Sequence, residues 1–106
     1  MNITVDVNKT DGNTIMKISG EIDAYTAPKL KETINQLTKE DGKNVVIDLT
    51  DVIYMDSTGL GVLVAAFKKI KTNGGSFILT GLSNRLQRLF TITGLSEIMD
   101  IKGESK

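Results

Sequence analysis

An α/β fold in one domain, built on a mixed β-sheet, is predicted by three observations along the 106-residue chain. Two alternating apolar runs flank Asp11-Gly12-Asn13, a β-branched run fills residues 45–49, and stretches of helical periodicity separate the apolar runs that follow. An opening hairpin and then successive strand-helix-strand steps, each favouring a parallel pair with a right-handed crossover, give a sheet of both senses packed with helices. The length suits a single core that needs no staples, and no repeat, low-complexity tract or long linker divides it.

Each element has its own warrant. Ile3, Val5 and Val7 alternate with Thr4 and Asp6, and Thr14, Met16 and Ile18 resume the alternation after the turn residues. Gly20 punctuates the chain, and Pro28 suits a first helical turn, where its missing N–H has no intrahelical partner, so a helix is expected to begin near Thr26. Ala27, Leu30, Ile34 and Leu37 form its buried stripe, Lys29, Lys31, Glu32 and Lys39 fall mostly elsewhere, and Asp41-Gly42 ends it. Val45-Val46-Ile47-Asp48-Leu49 reads as a strand covered on both faces or lying centrally in a parallel sheet.

After Met55-Asp56-Ser57-Thr58-Gly59, a second helix carries Leu60, Leu63, Val64, Phe67 and Ile70 on one face. Lys68, Lys69 and Lys71 form a solvated face, and Asn73-Gly74-Gly75 stops the helix. Phe77-Ile78-Leu79 is a short buried strand. Ser83 caps a third helix with Leu86, Leu89 and Phe90 spaced for packing, and Gly94 closes it. Residues 98–101 add a last short element, and 102–106 form a flexible polar tail.

Composition narrows the function. Hydrophobic residues at 40% and charged residues at 25% describe a chain that folds by itself, and 13 basic against 13 acidic residues leave no net field to attract nucleic acid or an anionic membrane. No apolar run reaches the ~20 residues of a membrane span, and the opening lacks a signal-peptide pattern, so a cytoplasmic location is expected. With no cysteine and no histidine there is no thiolate zinc site, no Ser-His-Asp triad and no imidazole base.

Asp56-Ser57-Thr58-Gly59-Leu60-Gly61 follows a strand and opens a helix. The unpaired N–H groups of a helix start tolerate added negative charge beside a hydroxyl. Gly59 and Gly61 bare the first turn at up to about 1 kcal/mol each relative to alanine. One reading makes Asp56 or Ser57 an N-cap and the glycines packing devices; the other makes Ser57 a modified hydroxyl on a docking surface. On the residues alone both readings stand. A Walker-type loop is disfavoured because no lysine follows Gly61, and a nucleophile elbow because Met55 stands where it needs glycine. Asp23 and Asp56 form only a weak pair for a divalent metal or acid-base work.

Three segments together, Gly20-Glu21-Ile22-Asp23-Ala24-Tyr25-Thr26-Ala27-Pro28, Tyr54-Met55-Asp56-Ser57-Thr58-Gly59-Leu60-Gly61-Val62 and Arg88-Leu89-Phe90-Thr91-Ile92-Thr93-Gly94-Leu95, resemble the anti-sigma factor antagonists of the STAS family. The resemblance covers essentially the whole chain and is strongest to the members serving Gram-positive general stress control. It implies a single STAS domain over residues 1–106 that acts as a partner switch without catalytic residues, metal or cofactor. In its unphosphorylated form such a protein binds an anti-sigma factor that is also a serine kinase, and the sigma factor is released for stress transcription. The kinase phosphorylates the serine after the motif aspartate, which maps onto Ser57, and a PP2C-type phosphatase restores binding.

By the same carry-over the partner surface comprises Asp23, Tyr25 and Thr26 together with Asp56, Ser57, Thr58, Gly59, Gly61 and Val62. Val62 and Ala65, off the main apolar stripe, suit either burial or contact with a partner. The free protein is expected to be a monomer. Alternatives are a STAS module for another anti-sigma factor, such as one of sporulation, or for a partner outside transcription, and more remotely a small nucleotide-binding protein or enzyme using Asp23, Asp56 and Ser57.

Overall fold

The two runs flanking Asp11-Gly12 pair as strands β1 (Ile3–Thr10) and β2 (Asn13–Ile22), antiparallel, with Thr10 opposite Asn13. Asp11 and Gly12 both take positive φ, 39° and 81°, the backbone of the tight turn whose twist matches that of the strands it joins. A computed structural model describes residues 2–40 and 44–102, with the side chains of 38–40 left aside. The expected stop of the first helix at Asp41-Gly42, the side chain of Lys39 and most of the expected tail lie outside the described residues.

Every later strand adds in parallel. β2 pairs with β3 (Asn44–Met55), β3 with β4 (Ser76–Thr80) and β4 with β5 (Asp100–Lys102), giving the order β1-β2-β3-β4-β5. The crossovers carry α1 (Ala27–Glu40), α2 (Ser57–Thr72) and α3 (Asn84–Ile92), and a 3-10 turn at Leu95–Glu97, not expected from the sequence, leads into β5. Lys102, expected in the tail, is instead the last residue of β5 and pairs with Thr80, because the parallel edge offers its backbone a partner.

The register places Met16, Ile47 and Leu79 side by side, all fully buried, so the core occupies one face of the sheet. Leu30, Ile34 and Leu37 of α1, Leu60, Leu63 and Ile70 of α2, and Leu86 and Phe90 of α3 close over that face. Phe67 meets Phe77 edge to face, with ring centroids 6.1 Å apart. β3 is central, as its β-branched run implies, but only its Val45, Ile47 and Leu49 are buried. Val46 and Asp48 point to the opposite face beside the exposed Ile15, where no helix lies among the described residues, so of the two readings, double coverage or a central place, the structure takes the central place.

β3 also runs further than its apolar stretch, directly into the start of α2, and two irregularities mark the extension. The partners shift from Lys17–Asp48 to Ser19–Asp51 and from Gly20–Val52 to Glu21–Tyr54, so β3 holds two more residues than β2 over this stretch. Such bulges break the strict alternation. Val52 and Met55 turn inward while Ile53 and Tyr54, adjacent in sequence, both face solvent.

On the open face, the Asp48 carboxylate accepts hydrogen bonds from the Thr50 N–H (2.9 Å) and hydroxyl (2.6 Å), while Lys17 sits beside Asp51 at 3.3 Å. Burial alone would raise the Asp48 carboxyl, but the two Thr50 bonds and the Lys17 charge outweigh it and hold the group below its ordinary value. A carboxylate depressed on folding contributes stability that is present above its unfolded pKa and fades as pH falls through the folded one. Asp48→Asn is therefore expected to lower the urea midpoint at neutral pH and to leave it nearly unchanged at about pH 2, well under the ordinary aspartate value. An equal loss at both pH values would show that the charge plays no part.

Candidate functional site

β2 and β3 end together, with Ile22 opposite Met55, and each is followed at once by an aspartate. The carboxyl ends of adjacent parallel strands are where loops of a sheet with crossover helices converge, and here they bring Asp23 and Asp56 to one pole of the molecule. Asp23 is 6% exposed and turned inward: its Oδ1 accepts from the N–H groups of Tyr25 (2.9 Å) and Thr26 (3.0 Å). The Thr26 hydroxyl accepts from the Asp23 N–H (2.9 Å) and donates to the Glu21 carbonyl (2.8 Å). This closed set of bonds fixes the loop into α1 and leaves Tyr25 at its tip, 85% exposed.

Asp56 is the N-cap of α2, its backbone extended and its Oδ1 accepting from the Gly59 N–H at 3.0 Å. Its own N–H donates to the Ile22 carbonyl at 3.1 Å, stitching the helix start to the end of β2. The first intrahelical bond is Leu60 N–H to the Asp56 carbonyl, so the N–H groups of Ser57 and Thr58 have no intrahelical acceptor. Both residues are exposed, and neither hydroxyl has a hydrogen-bond partner among the described residues. Asp56 thus takes the cap and leaves Ser57, the first residue of α2, to solvent.

The two glycines separate in role. Gly59 is buried against the end of β2, and a Cβ built there would stand 2.6 Å from the Ile22 carbonyl oxygen, an unyielding backbone atom. At Gly61 a Cβ would meet nothing within 4 Å. Gly61 instead floors an open groove of about 280 Å³ between α1 and α2, lined by Lys31, Ile34 and Asn35 on one side and by Thr58, Val62 and Ala65 among those on the other. Val62 is half-buried and Ala65 exposed. A second cleft, of about 400 Å³, is lined by Glu21, Asp23, Tyr25, Ile53, Tyr54 and Asp56, so that the two neighbours of Ser57 in the chain, Asp56 and Thr58, line different recesses.

The expected site residues therefore gather at one pole, divided between framework and surface. Asp23, Thr26 and Gly59 are buried; Tyr25, Ser57, Thr58 and Gly61 are exposed, with Asp56 and Val62 intermediate. The sequence reading missed Ile53 and Tyr54 in the cleft and assigned Lys31 and Asn35 no part in the groove. The strand propensity of Ile53 and Tyr54 conceals that bulges turn both outward; the i, i+4 spacing of Lys31 and Asn35 was the available signal for a shared helix face. No group of three or more metal-ligating side chains occurs among the described residues, and no helix is long and apolar enough to cross a membrane.

A mixed sheet with its helices on one face, and a capped serine at the pole where β2 and β3 end, is the arrangement of a known family. The family model described as STAS domain matches residues 4–105, and the chain belongs to that family. Among curated relatives, the anti-sigma-B factor antagonist of Listeria monocytogenes is 52% identical over 96% of this chain and 90% of its own. That of Bacillus subtilis is 52% identical over 100% of this chain and 96% of its own. A crystal structure of an anti-sigma factor antagonist from Mycobacterium paratuberculosis superposes with a TM-score of 0.88 at 31% identity, covering 97% of this chain and 87% of that one.

Opposite effects are expected of one substitution at the two glycines. Gly59→Ala drives a methyl group into the β2 backbone and is expected to cost about 1–3 kcal/mol. Gly61→Ala gains helix propensity with room to spare and is expected to stabilise by up to about 1 kcal/mol. Denaturant midpoints of the two variants decide the matter, and a shift of the same sign in both would refute the packing assignment.

Proposed function

We propose that this chain is an anti-sigma-B-type antagonist. Its unphosphorylated form captures an anti-sigma factor that is also a serine kinase, and phosphorylation of Ser57 ends the capture. A PP2C-type phosphatase reverses the modification, and all three proteins meet in the cytoplasm. The observation that carries the reading is the Ser57 hydroxyl: exposed and without a partner among the described residues, with Asp56 before it lining the cleft at Tyr25 and Thr58 after it lining the α1–α2 groove. Relatives 52% identical over nearly their whole length and named anti-sigma-B factor antagonists support the same assignment.

In this reading Tyr25, Thr58, Gly61 and Val62 contact the partner with Ser57 and Asp56, while Asp23, Thr26 and Gly59 hold that surface in shape from beneath. The chain supplies a hydroxyl and a surface, and the transfer chemistry belongs to the kinase and the phosphatase. A phosphate on Ser57 adds nearly two negative charges beside the Asp56 carboxylate, and desolvating them against a partner is unfavourable. The same phosphate is tolerated within the fold, because the free N–H groups of a helix start accommodate negative charge.

Incubation with magnesium-ATP and the anti-sigma kinase of the same organism is expected to add one phosphate, mapped by mass spectrometry to Ser57, with loss of the complex. No modification at any hydroxyl would remove the switch and leave a binding module. By calorimetry, Ser57→Asp is expected to bind that kinase at least about tenfold more weakly than Ser57→Ala, a difference of ~1.4 kcal/mol or more. Equal affinities would eliminate charge as the cause. Amide exchange in the modified protein is expected to keep its protection throughout the sheet, and a broad loss would mean that the switch acts by unfolding.

A further inference from the structure

α3 carries positive charge that nothing near it in the chain offsets. From Ser83 to Gly94 there are two arginines and no acid, and neither Arg85 nor Arg88, both exposed, has an ion-pair partner among the described residues. Three positions apart, they share one stripe of the helix and line a groove of about 270 Å³ between α3 and the end of β3. The same groove is lined by apolar side chains in contact with solvent: Ile53 and Ile92 are 70% and 74% exposed, and Tyr54 is half-exposed. The bulges of β3 produce this wall, since a regular strand would send one of two neighbours inward and here Ile53 and Tyr54 both face outward. Clustered exposed apolar side chains mark a surface that meets another molecule, and two unpaired guanidinium groups beside them select one that presents carboxylates.

The position of the groove narrows the choice of partner. Ile53 and Tyr54 also wall the cleft that Glu21 and Asp56 line, so the arginines stand one ridge away from the pole that carries Ser57. Of the residues proposed to meet the anti-sigma factor, Tyr25, Asp56, Ser57, Thr58, Gly61 and Val62, none lines the groove. A phosphate on Ser57 that ends capture therefore leaves the groove free, and an enzyme that must grip the phosphorylated form finds it there. A metal-dependent phosphatase holds its divalent ions with carboxylates. The pole it approaches carries Glu21, Asp56 and the phosphate, so acid meets acid around the metal site. Arg85 and Arg88 offset that repulsion on the β3 side.

We propose that the groove between α3 and the end of β3 is the docking site of the PP2C-type phosphatase, where Arg85 and Arg88 receive carboxylates of the enzyme and Ile53, Tyr54 and Ile92 an apolar side chain beside them. This docking rests on the reading of Ser57 as the phosphorylated hydroxyl. The two arginines position the phosphoprotein and take no part in the hydrolysis itself. In that step water attacks phosphorus, the bond to the Ser57 oxygen breaks, and inorganic phosphate leaves while a proton from the water restores the serine hydroxyl.

The test uses the whole chain with phosphoserine encoded directly at position 57, so that no kinase is required, and the metal-loaded PP2C-type phosphatase of the same organism. Release of inorganic phosphate is followed against substrate concentration for the wild type, for Arg85→Glu with Arg88→Glu, and for Arg85→Lys with Arg88→Lys. Circular dichroism confirms that each variant is folded. The double glutamate variant is expected to lose at least about tenfold in kcat/KM, through KM and with kcat kept. The double lysine variant is expected to recover most of that loss because it keeps the charge, and added salt is expected to slow the wild type towards the glutamate variant. By calorimetry the anti-sigma kinase is expected to bind the unphosphorylated glutamate variant as it binds the wild type. A glutamate variant hydrolysed as efficiently as the wild type, a lysine variant no better than the glutamate one, or a matching loss of kinase binding would each overturn the docking site alone. A wild-type phosphoprotein that the phosphatase leaves intact would overturn the antagonist reading along with it.

Discussion

Where α2 begins, two contacts converge on one peptide group at the end of β2, and a third closes the helix turn that makes them. The Ile22 carbonyl receives the Asp56 N–H, Gly59 packs against the same carbonyl, and the Asp56 side chain accepts from the Gly59 N–H to close the first turn. The helix cannot shift along the sheet without breaking the hydrogen bond or driving backbone into backbone. The position of Ser57 is therefore set by the central strands and not by a loop. The groove beside it is set likewise, since α1 and α2 lie across the same core face.

The neighbouring loop is fixed by different means. Asp23 and Thr26 are two of the three buried polar residues in the described structure, and the hydrogen bonds of both side chains lie within the six residues from Glu21 to Thr26. Buried polar groups so satisfied rigidify a segment without contributing much net stability. The aromatic ring of Tyr25 is consequently held out on a rigid support, and a surface already ordered loses little conformational freedom when it meets another molecule.

Much of this was legible in the sequence because it rests on local pattern. Asp11-Gly12 between alternating runs, Pro28 in a first turn, the four-residue stripe of α1 and the Ser83 cap each act over a few residues, and each appears where its spacing places it. What could not be read depends on non-local fit. Nothing near Gly59 and Gly61 separates a glycine pressed on a neighbouring strand from one bordering open space, since the neighbour is Ile22, 37 positions earlier in the chain (59 − 22). The bulges of β3 arise from a mismatch in length with β2, and a β-branched strand covered on one face has the same composition as one covered on both. The gathering of these residues at one pole was thus legible, while their division into framework and surface was not.

The hairpin turn offers an experimental handle. Asp11 and Gly12 project from the amino end of β2, whereas Asp23 follows its carboxyl end, and a strand of 10 residues stands between them, a span of about 30 Å. A dye, an affinity tag or half of a split reporter inserted at this exposed tip would sit at the far pole from Ser57, clear of the surface proposed to meet a partner. The fold thereby separates the end that can be handled from the end proposed to signal, and a sensor built on this scaffold could be immobilised by one and read at the other.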